Sequence, residues 1–352
     1  LQLVTSALTV TNNLTNSAGT LDANGLAINV AGTWDNTGGT YTANGNTFTM
    51  TGGDQSILGS TTFYNLVKTV SSAATLTFEA ATTQVVSGAL TLQGALNNLL
   101  SLVSSIADTQ FSINIPSSFT LNFLNVKDLN NTNATSRAVS NSKDSGNNTN
   151  ITFTATTVTW TGTTNTDWGT ATNWDVGYVP NATDNIVIAD VANDPVLDTA
   201  RTVNNLTINS GGVLDVSASN YALTVTGNFT NAGTFTSQSG TVTLTGTGTQ
   251  TLTSGGSSFY NLTINGSGGT YTLQDALAVS NNLTITAGTL DTKSGSNYGV
   301  TVTGNFTNAG TFTARSGTVT FDKSSGTQTI NPGSSSLYNL THSGAGTLQL
   351  FT

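Results

Sequence analysis

The chain has 352 residues, of which only 7% are charged and none is cysteine, and its formal net charge at pH 7 is −9. With so few cations it could neutralise neither a nucleic-acid backbone nor an anionic membrane surface, so neither is an expected partner. The lack of cysteine excludes disulfides and thiolate metal sites, and no apolar run is long enough for a membrane-spanning helix.

A stretch of thirteen residues, TVTGNFTNAGTFT, occurs twice without change. The copies begin at Thr224 and Thr301, which defines a 77-residue period. Asn204 to Ile208 returns at this spacing as Asn281 to Ile285, and an earlier copy of the landmarks starts at Asn12. A structural unit that stacks on copies of itself explains such repetition better than a catalytic motif does.

Within one period, apolar residues alternate with Thr, Ser or Asn, and each run ends at Gly or Asn, as in Leu223 to Val225 and Val242 to Leu244. This pattern predicts strands and turns. Four recurring turns divide the period into coils of roughly 19 residues. We therefore expect an all-β chain: a parallel, right-handed β-solenoid (β-helix) with these coils grouped in 77-residue repeats. Stacked corner asparagines are expected to hydrogen-bond in ladders, at Asn205, Asn228, Asn282 and Asn305.

In chain order we expect five segments. Residues 1–94 form a solenoid repeat block, and 95–157 form irregular coils with an Asn/Ser-rich polar loop across Leu129 to Ser145. In that segment Ala95 to Ile106 could be a helix, but its flanks favour a strand. Residues 158–200 form a Trp-rich junction module, and 201–276 and 277–352 are two solenoid repeats.

The junction module contains three of the four tryptophans, Trp160, Trp168 and Trp174. Two interpretations are open. The indole rings could form a platform on which sugar rings stack, or they could seal a junction between repeats, which is the commoner use of such a cluster.

The junction landmarks are Trp160, Trp168, Asn173-Trp174, Val179-Pro180 and Asp184 to Ile188. Together with the two Gly-Asn-Phe-Thr-Asn-Ala-Gly-Thr-Phe copies, they resemble a module of large bacterial surface proteins. Those proteins are autotransporter-like or adhesin-like and have parallel β-helical repeats. The resemblance covers nearly the whole chain, implies an extracellular stalk, filament or adhesin, and brings no catalytic residues with it.

Residues suited to catalysis or metal binding are few. His342 is the only histidine, and its counterpart in the preceding repeat is Ile264. The densest acidic group could supply oxygen ligands for Ca²⁺ or could simply be solvated loop acids, and it comprises Asp184, Asp190, Asp194 and Asp198. No other cofactor and no enzymatic activity are expected.

Asn-x-Ser/Thr sequons are frequent. Each is a glycan acceptor in a suitable host, although a corner Asn followed by an inward apolar residue and an outward Thr creates a sequon automatically. The thirteen are Asn13, Asn130, Asn133, Asn147, Asn150, Asn181, Asn205, Asn228, Asn261, Asn265, Asn282, Asn305 and Asn339.

These observations predict a secreted or cell-surface structural protein, a segment of a fibre, filament or stalk that extends by stacking repeats and associates with itself head to tail. The last five residues, LQLFT, resemble the first five, LQLVT, so we expect the chain to be one large period of a longer array. The alternatives are a carbohydrate-binding adhesin that recognises glycans or surface polysaccharide and, third, a polysaccharide-degrading β-helix enzyme.

Overall fold

The structure is a computed structural model that describes residues 1–351. Within these residues the regular structure is strand, apart from one 3-10 turn, η1 (Ala171–Asn173). The strands pair in parallel and stack in about 16 coils, which form a β-solenoid. The predicted fold class is therefore confirmed.

The chain divides into two compact units, Leu1–Thr156 and Thr157–Thr352. The strands of the first unit are short because a corner follows every few residues. They are β1 (Leu8–Val10), β2 (Leu14–Thr15), β3 (Thr20–Asp22), β4 (Ile28–Val30), β5 (Trp34–Asp35), β6 (Thr40–Thr42), β7 (Thr47–Met50), β8 (Gln55–Leu58), β9 (Thr61–Phe63), β10 (Asn65–Thr69), β11 (Ala74–Phe78), β12 (Thr83–Val86), β13 (Ala89–Gln93), β14 (Leu100–Ser104), β15 (Phe111–Asn114), β16 (Ser118–Asn122), β17 (Leu124–Val126), β18 (Leu129–Asn131), β19 (Arg137–Val139), β20 (Lys143–Asp144) and β21 (Ile151–Phe153).

One coil of the first unit contains three strands, because every third strand pairs. One sheet runs β1-β4-β7-β10-β13-β16 and a second runs β2-β5-β8-β11-β14-β17-β20. The third face is made by β3-β6 and by β9-β12-β15-β18. Leu8 pairs with Ile28 in an early coil, whereas Leu90 pairs with Phe119 in a later and longer one. The extra length is taken up at corners while the register of the inward residues is kept.

The second unit contains η1 between its first and second strands. Its strands are β22 (Thr157–Trp160), β23 (Asn185–Ile188), β24 (Arg201–Val203), β25 (Leu206–Ile208), β26 (Val213–Asp215), β27 (Leu223–Val225), β28 (Phe229–Asn231), β29 (Thr234–Thr236), β30 (Thr241–Leu244), β31 (Thr249–Thr253), β32 (Asn261–Leu273), β33 (Leu277–Val279), β34 (Leu283–Asp291), β35 (Val300–Val302), β36 (Phe306–Asn308), β37 (Thr311–Thr313), β38 (Thr318–Phe321), β39 (Thr327–Asn331), β40 (Asn339–His342) and β41 (Thr347–Leu350).

The core of each unit consists of columns of inward-facing apolar side chains. Each side chain in a column stacks on the one at the equivalent position of the neighbouring coil. In the second unit one column contains Leu223, Val242, Leu262, Leu283, Phe306 and Ile330, paired in that order and all buried. The residues between them along each strand, mostly Thr, point outward. The alternation in the sequence thus reports the two faces of each strand.

The two thirteen-residue copies do not lie in the same column. Phe229 belongs to a column that continues through Leu252 to Leu273. Its sequence counterpart Phe306 instead lies in the column of Leu283. The partner of Phe306 on the next coil is Ile330, which is further along the chain than a coil of the predicted length would place it. Because such coils are longer than predicted, the 77-residue repeat ends one face short of four full coils. Each repeat is therefore rotated by one face relative to the last.

The polar stretch from Leu129 to Ser145 is not a loop, contrary to the sequence-based expectation. It carries β18, β19 and β20, which stack on the preceding coil. Inward polar side chains replace apolar ones here: the Asn131 amide donates to two backbone carbonyls, and the Ser142 hydroxyl accepts the N–H of Leu124 at 2.9 Å. The segment Ala95 to Ile106 contains the strand β14, as predicted.

Candidate functional site

A ladder of asparagine side chains follows one corner of the second unit, where β24, β27 and β30 give way to the next face. Asn205 Oδ1 accepts the backbone N–H of Asn228 at 2.7 Å, and Asn228 Oδ1 accepts the N–H of Thr251 at 2.8 Å. At the lower end, Asn205 Nδ2 donates to Asn185 Oδ1 at 2.6 Å. Each coil is thereby tied to the next at a point where no strand carbonyl is available.

A second ladder follows a different corner. Asn261 Oδ1 accepts the N–H of Asn282 at 3.3 Å, Asn282 Oδ1 accepts that of Asn305 at 2.9 Å, and Asn305 Oδ1 accepts that of Thr329 at 2.8 Å. The predicted ladders at Asn205, Asn228, Asn282 and Asn305 are confirmed. In each of these bonds a backbone N–H of the next coil donates to the asparagine Oδ1. They occupy two corners because the repeat is rotated by one face.

The ladders explain the Gly-Asn pair in the repeated stretch. A Cβ on Gly227 would lie 2.3 Å from Asn205 Oδ1, and one on Gly304 would lie 2.8 Å from Asn282 Oδ1. Both distances are shorter than real Cβ contacts allow. The asparagine oxygen of the coil below therefore excludes any side chain at these two positions. In the first unit Asn13 Oδ1 accepts the N–H of Thr33 at 2.9 Å in the same way.

The second asparagine of each copy is buried and satisfies the following coil. Asn231 Nδ2 donates to the Ser254 carbonyl at 2.8 Å and to Ser257 Oγ at 3.0 Å. Asn308 Nδ2 makes the corresponding bonds to the Pro332 carbonyl at 2.8 Å and Ser335 Oγ at 2.9 Å. Identical sequence therefore makes near-identical contacts in two copies that face different directions.

The first unit buries a lysine that sequence reasoning missed. Lys68 lies in an apolar column beside Leu92 and is fully buried. Its Nζ donates to the carbonyls of Gly52 and Gly53 at 2.9 and 2.8 Å and to Gln55 Oε1 at 2.7 Å. Burial lowers the pKa of the ammonium to about 8, partly opposed by the charge of Asp54.

Gln55 is the other half of this network. Its Nε2 donates to the carbonyls of Val30 and Gly32, at 2.9 and 2.8 Å. Gln328 makes the same pair of bonds, to Val302 and Gly304, in the second unit. No repeated motif identifies both glutamines, since Gln328 lies in Gly-Thr-Gln-Thr at 326–329 whereas Gln55 lies in Gly-Asp-Gln-Ser at 53–56.

The three junction tryptophans are buried and pack against one another. Trp174 contacts Trp160 and Trp168 edge to face, with ring centroids 4.9 and 4.7 Å apart. Trp160 Nε1 donates to the Asn193 carbonyl at 2.7 Å and Trp174 Nε1 to the Trp168 carbonyl at 2.9 Å. The idea of an exposed sugar-stacking platform is corrected, because rings 0–1% exposed offer no face to a ligand.

The junction loop is organised by Asn173, whose side chain is fully buried. Its Oδ1 accepts the N–H groups of Thr164 and Asn165, and its Nδ2 donates to Asn165 Oδ1 and the Asp167 carbonyl. The Asn173-Trp174 pair therefore fixes both the polar loop and the indole cluster.

The four aspartates considered for calcium binding do not share a common set of contacts. Asp184 is buried and accepts the N–H of Asn181 at 2.8 Å, and Asp194 accepts that of Val213 at 3.1 Å. Asp198 is paired with Arg201, and Asp190 lies exposed. Within residues 1–351 no three His, Asp or Glu side chains come together in a way that could hold a metal ion. The proposed calcium ligand set is therefore not assembled.

The sequon asparagines differ in what their amide nitrogen does. Asn150 donates both hydrogens, to the carbonyls of Asn131 and Asn133, and Asn181 Nδ2 is buried. Six donate one hydrogen bond, namely Asn130, Asn133, Asn147, Asn205, Asn261 and Asn339. Nδ2 makes no hydrogen bond to residues 1–351 in Asn13, Asn228, Asn265, Asn282 and Asn305.

His342 lies exposed in β40, paired with Phe321 of β38. The coil that contains it is open on one side. Tyr338, Leu340, Leu350 and Phe351 are 50–65% exposed, whereas Leu262, the counterpart of Leu340 in the preceding repeat, is fully buried under the next coil. None of the helical structure in residues 1–351 is long and apolar enough to cross a membrane.

A family model described as a domain of unknown function (DUF8693) matches residues 159–250. This range contains the tryptophan cluster, the first ladder and the first thirteen-residue copy. Comparisons with curated proteins and with solved structures give no match.

Proposed function

We propose that this chain is a non-enzymatic structural segment of an extracellular fibre, filament or cell-surface stalk, which extends by stacking β-solenoid coils and associates with itself head to tail. The observation that carries the proposal is that the apolar columns continue as far as β40 and β41, so that a further coil of the same kind could stack on them. Leu340 is 50% exposed and Leu350 62% exposed, although both occupy inward column positions, where they pair with Val319 and Ile330.

The open coil favours a specific kind of partner. Within residues 1–351 β41 pairs only with β39, so its outer edge presents free N–H and C=O groups beside apolar side chains. Such an edge is a template for another strand. A coil of the same repeat type, in this chain or in a second copy of it, would match both the backbone spacing and the apolar column, so stacking of like coils is the association that fits. A contact of this kind does not close on itself and produces a linear filament.

The composition supports an extracellular location. A sequence with 7% charged residues and no cysteine suits a long stacked protein that relies on backbone hydrogen bonds. The resemblance to bacterial surface proteins points the same way, while burial of the three tryptophans removes the main support for a carbohydrate-binding role.

The test is assembly of the purified chain, followed by sedimentation velocity and electron cryo-microscopy over a range of concentrations. We expect filaments with a layer spacing of about 4.8 Å. Leu350→Lys should abolish them by placing a charge in the open column. Ile106→Lys is the matched control, since Ile106 is equally exposed (59%) but lies at a corner of the first unit. A chain that stays monomeric at every concentration, or Ile106→Lys acting like Leu350→Lys, would contradict the proposal.

A further inference from the structure

Four of the asparagines that tie one coil to the next use only one atom of their side-chain amide. In Asn13, Asn228, Asn282 and Asn305, Oδ1 accepts a backbone N–H of the next coil at 2.8–2.9 Å. The Nδ2 atom of the same side chains makes no hydrogen bond to residues 1–351, and it is not among the buried unpartnered atoms of the structure. Asn13 is exposed and the other three asparagines are half-buried, so these nitrogens remain at least partly accessible to solvent.

Each of the four asparagines begins an Asn-x-Thr sequon, completed by Thr15, Thr230, Thr284 and Thr307. Attachment of a sugar to an asparagine replaces one hydrogen on Nδ2 and leaves Oδ1 a carbonyl oxygen. The ladder bond can thus persist in the modified protein, because the atom that holds the coils together is not the atom that is modified.

We propose that Asn13, Asn228, Asn282 and Asn305 are attachment sites for N-linked oligosaccharide in the folded protein. The donor class is a lipid-linked oligosaccharyl pyrophosphate, used by a transferase of the host. The Nδ2–C1 bond forms as the bond between C1 and the pyrophosphate oxygen breaks; Nδ2 loses one proton and the lipid pyrophosphate leaves. The inference rests on the proposed extracellular location, since the chain must meet such a transferase during export.

The structure also identifies two sequons that should remain unglycosylated. Asn150 donates both amide hydrogens to backbone carbonyls, so a sugar there must displace one of those bonds. Asn181 Nδ2 is buried, so a sugar there must open the junction module. These two sequons are internal controls that share the sequence signal but lack the free nitrogen.

The rotated repeat decides where the sugars project. Asn228 and Asn305 are equivalent in sequence, but Asn228 stacks on Asn205 at one corner and Asn305 stacks on Asn282 at another. Successive repeats would therefore carry glycans on different faces of the second unit. This arrangement shields more than one side of the solenoid with a single repeated sequence.

The test is glycopeptide mass spectrometry of the protein isolated from its source, combined with surface labelling of intact cells. We expect oligosaccharide on the peptides that contain the four ladder asparagines and none on those with Asn150 or Asn181. Unmodified ladder peptides in protein that reaches the surface overturn the glycan proposal alone. Protein found only inside the cell overturns the proposed function and the glycan proposal with it.

Sequon variants separate modification from stability. Thr230→Val and Thr307→Val remove the signal but keep the ladder asparagine, so each should reduce the intact mass by one glycan and leave amide exchange at the next coil unchanged. Thr152→Val, which removes the Asn150 sequon, is the matched control and should not change the glycan mass. No loss of glycan mass in both ladder variants, or such a loss in Thr152→Val, overturns the assignment.

Discussion

The guanidinium of Arg315 binds the carboxylate of Asp291 in the coil below through two parallel hydrogen bonds, Nε to Oδ1 at 2.9 Å and Nη2 to Oδ2 at 2.7 Å. One repeat earlier, Gln238 Nε2 donates to both carboxylate oxygens of Asp215, at 3.1 and 3.0 Å. The corner geometry is thus retained while a neutral donor replaces a charged one. Both donor residues have a positive φ, 49° for Arg315 and 44° for Gln238.

Arg315→Gln should weaken the second unit slightly at neutral pH, and the effect should disappear in acid. The hydrogen bond from Arg315 lowers the pKa of Asp291 below its ordinary value of 3.8. A carboxyl with a lowered pKa stabilises the fold above its unfolded pKa and loses that contribution as pH falls through the folded one. Denaturation midpoints of the two proteins should therefore differ at neutral pH and converge well below pH 3.8. A difference that persists in acid would contradict this assignment.

Lys68 should make the stability of the first unit depend on pH in the alkaline range. Its pKa is about 8 in the folded protein against an ordinary value of 10.5, so the unfolded chain binds more protons between these values. Stability should therefore rise with pH from about 8 to 10.5, by on the order of 3 kcal/mol at most.

The measurement is urea denaturation of the wild type and of Lys68→Met across this pH range. Methionine is similar in length and does not titrate, so the variant should lack the alkaline increase. Lys143→Met, at a partly exposed position of β20, should keep it. A wild type without the increase would contradict the assignment to Lys68.

Asn228→Ala should loosen the coil above it. The variant leaves the Thr251 N–H without its acceptor at 2.8 Å, a loss of about 1 kcal/mol. Hydrogen exchange at the Thr251 amide should speed up, whereas Asn228→Asp keeps an acceptor oxygen and should largely preserve protection. Equal exchange in the Ala variant and the wild type would show that this ladder bond does not contribute.

Trp174→Ala should destabilise the start of the second unit by about 3–5 kcal/mol, the cost of removing a large aromatic side chain from a packed core. Trp174 is buried between Trp160 and Trp168. Exchange should increase first in β22 and β23, which pair beside the cluster. Trp174→Phe should have a smaller effect, because it keeps a ring in the space. A mild effect of the alanine variant on exchange would argue against a role in sealing the junction.

The sequence by itself determined the strand pattern, the solenoid and the ladder positions. Alternation of apolar residues with Thr fixes which side of each strand faces inward, and the repeated Gly-Asn pair marks a corner where a side-chain oxygen takes the space of a Cβ. These features depend on neighbours along the chain or one coil away, and a repeat makes the coil-to-coil neighbour readable from the sequence.

Only the tertiary structure decided how successive repeats are rotated and which unexpected side chains are buried. The rotation that places Phe229 and Phe306 in different columns depends on the summed length of every corner in the repeat, which a 77-residue period does not reveal. Burial of Lys68 was equally hidden, and for the three tryptophans the sequence left a buried and an exposed arrangement both open. Whether such a side chain lies in solvent or in the core depends on which carbonyls and rings the neighbouring coils bring within reach, and those partners are distant in sequence.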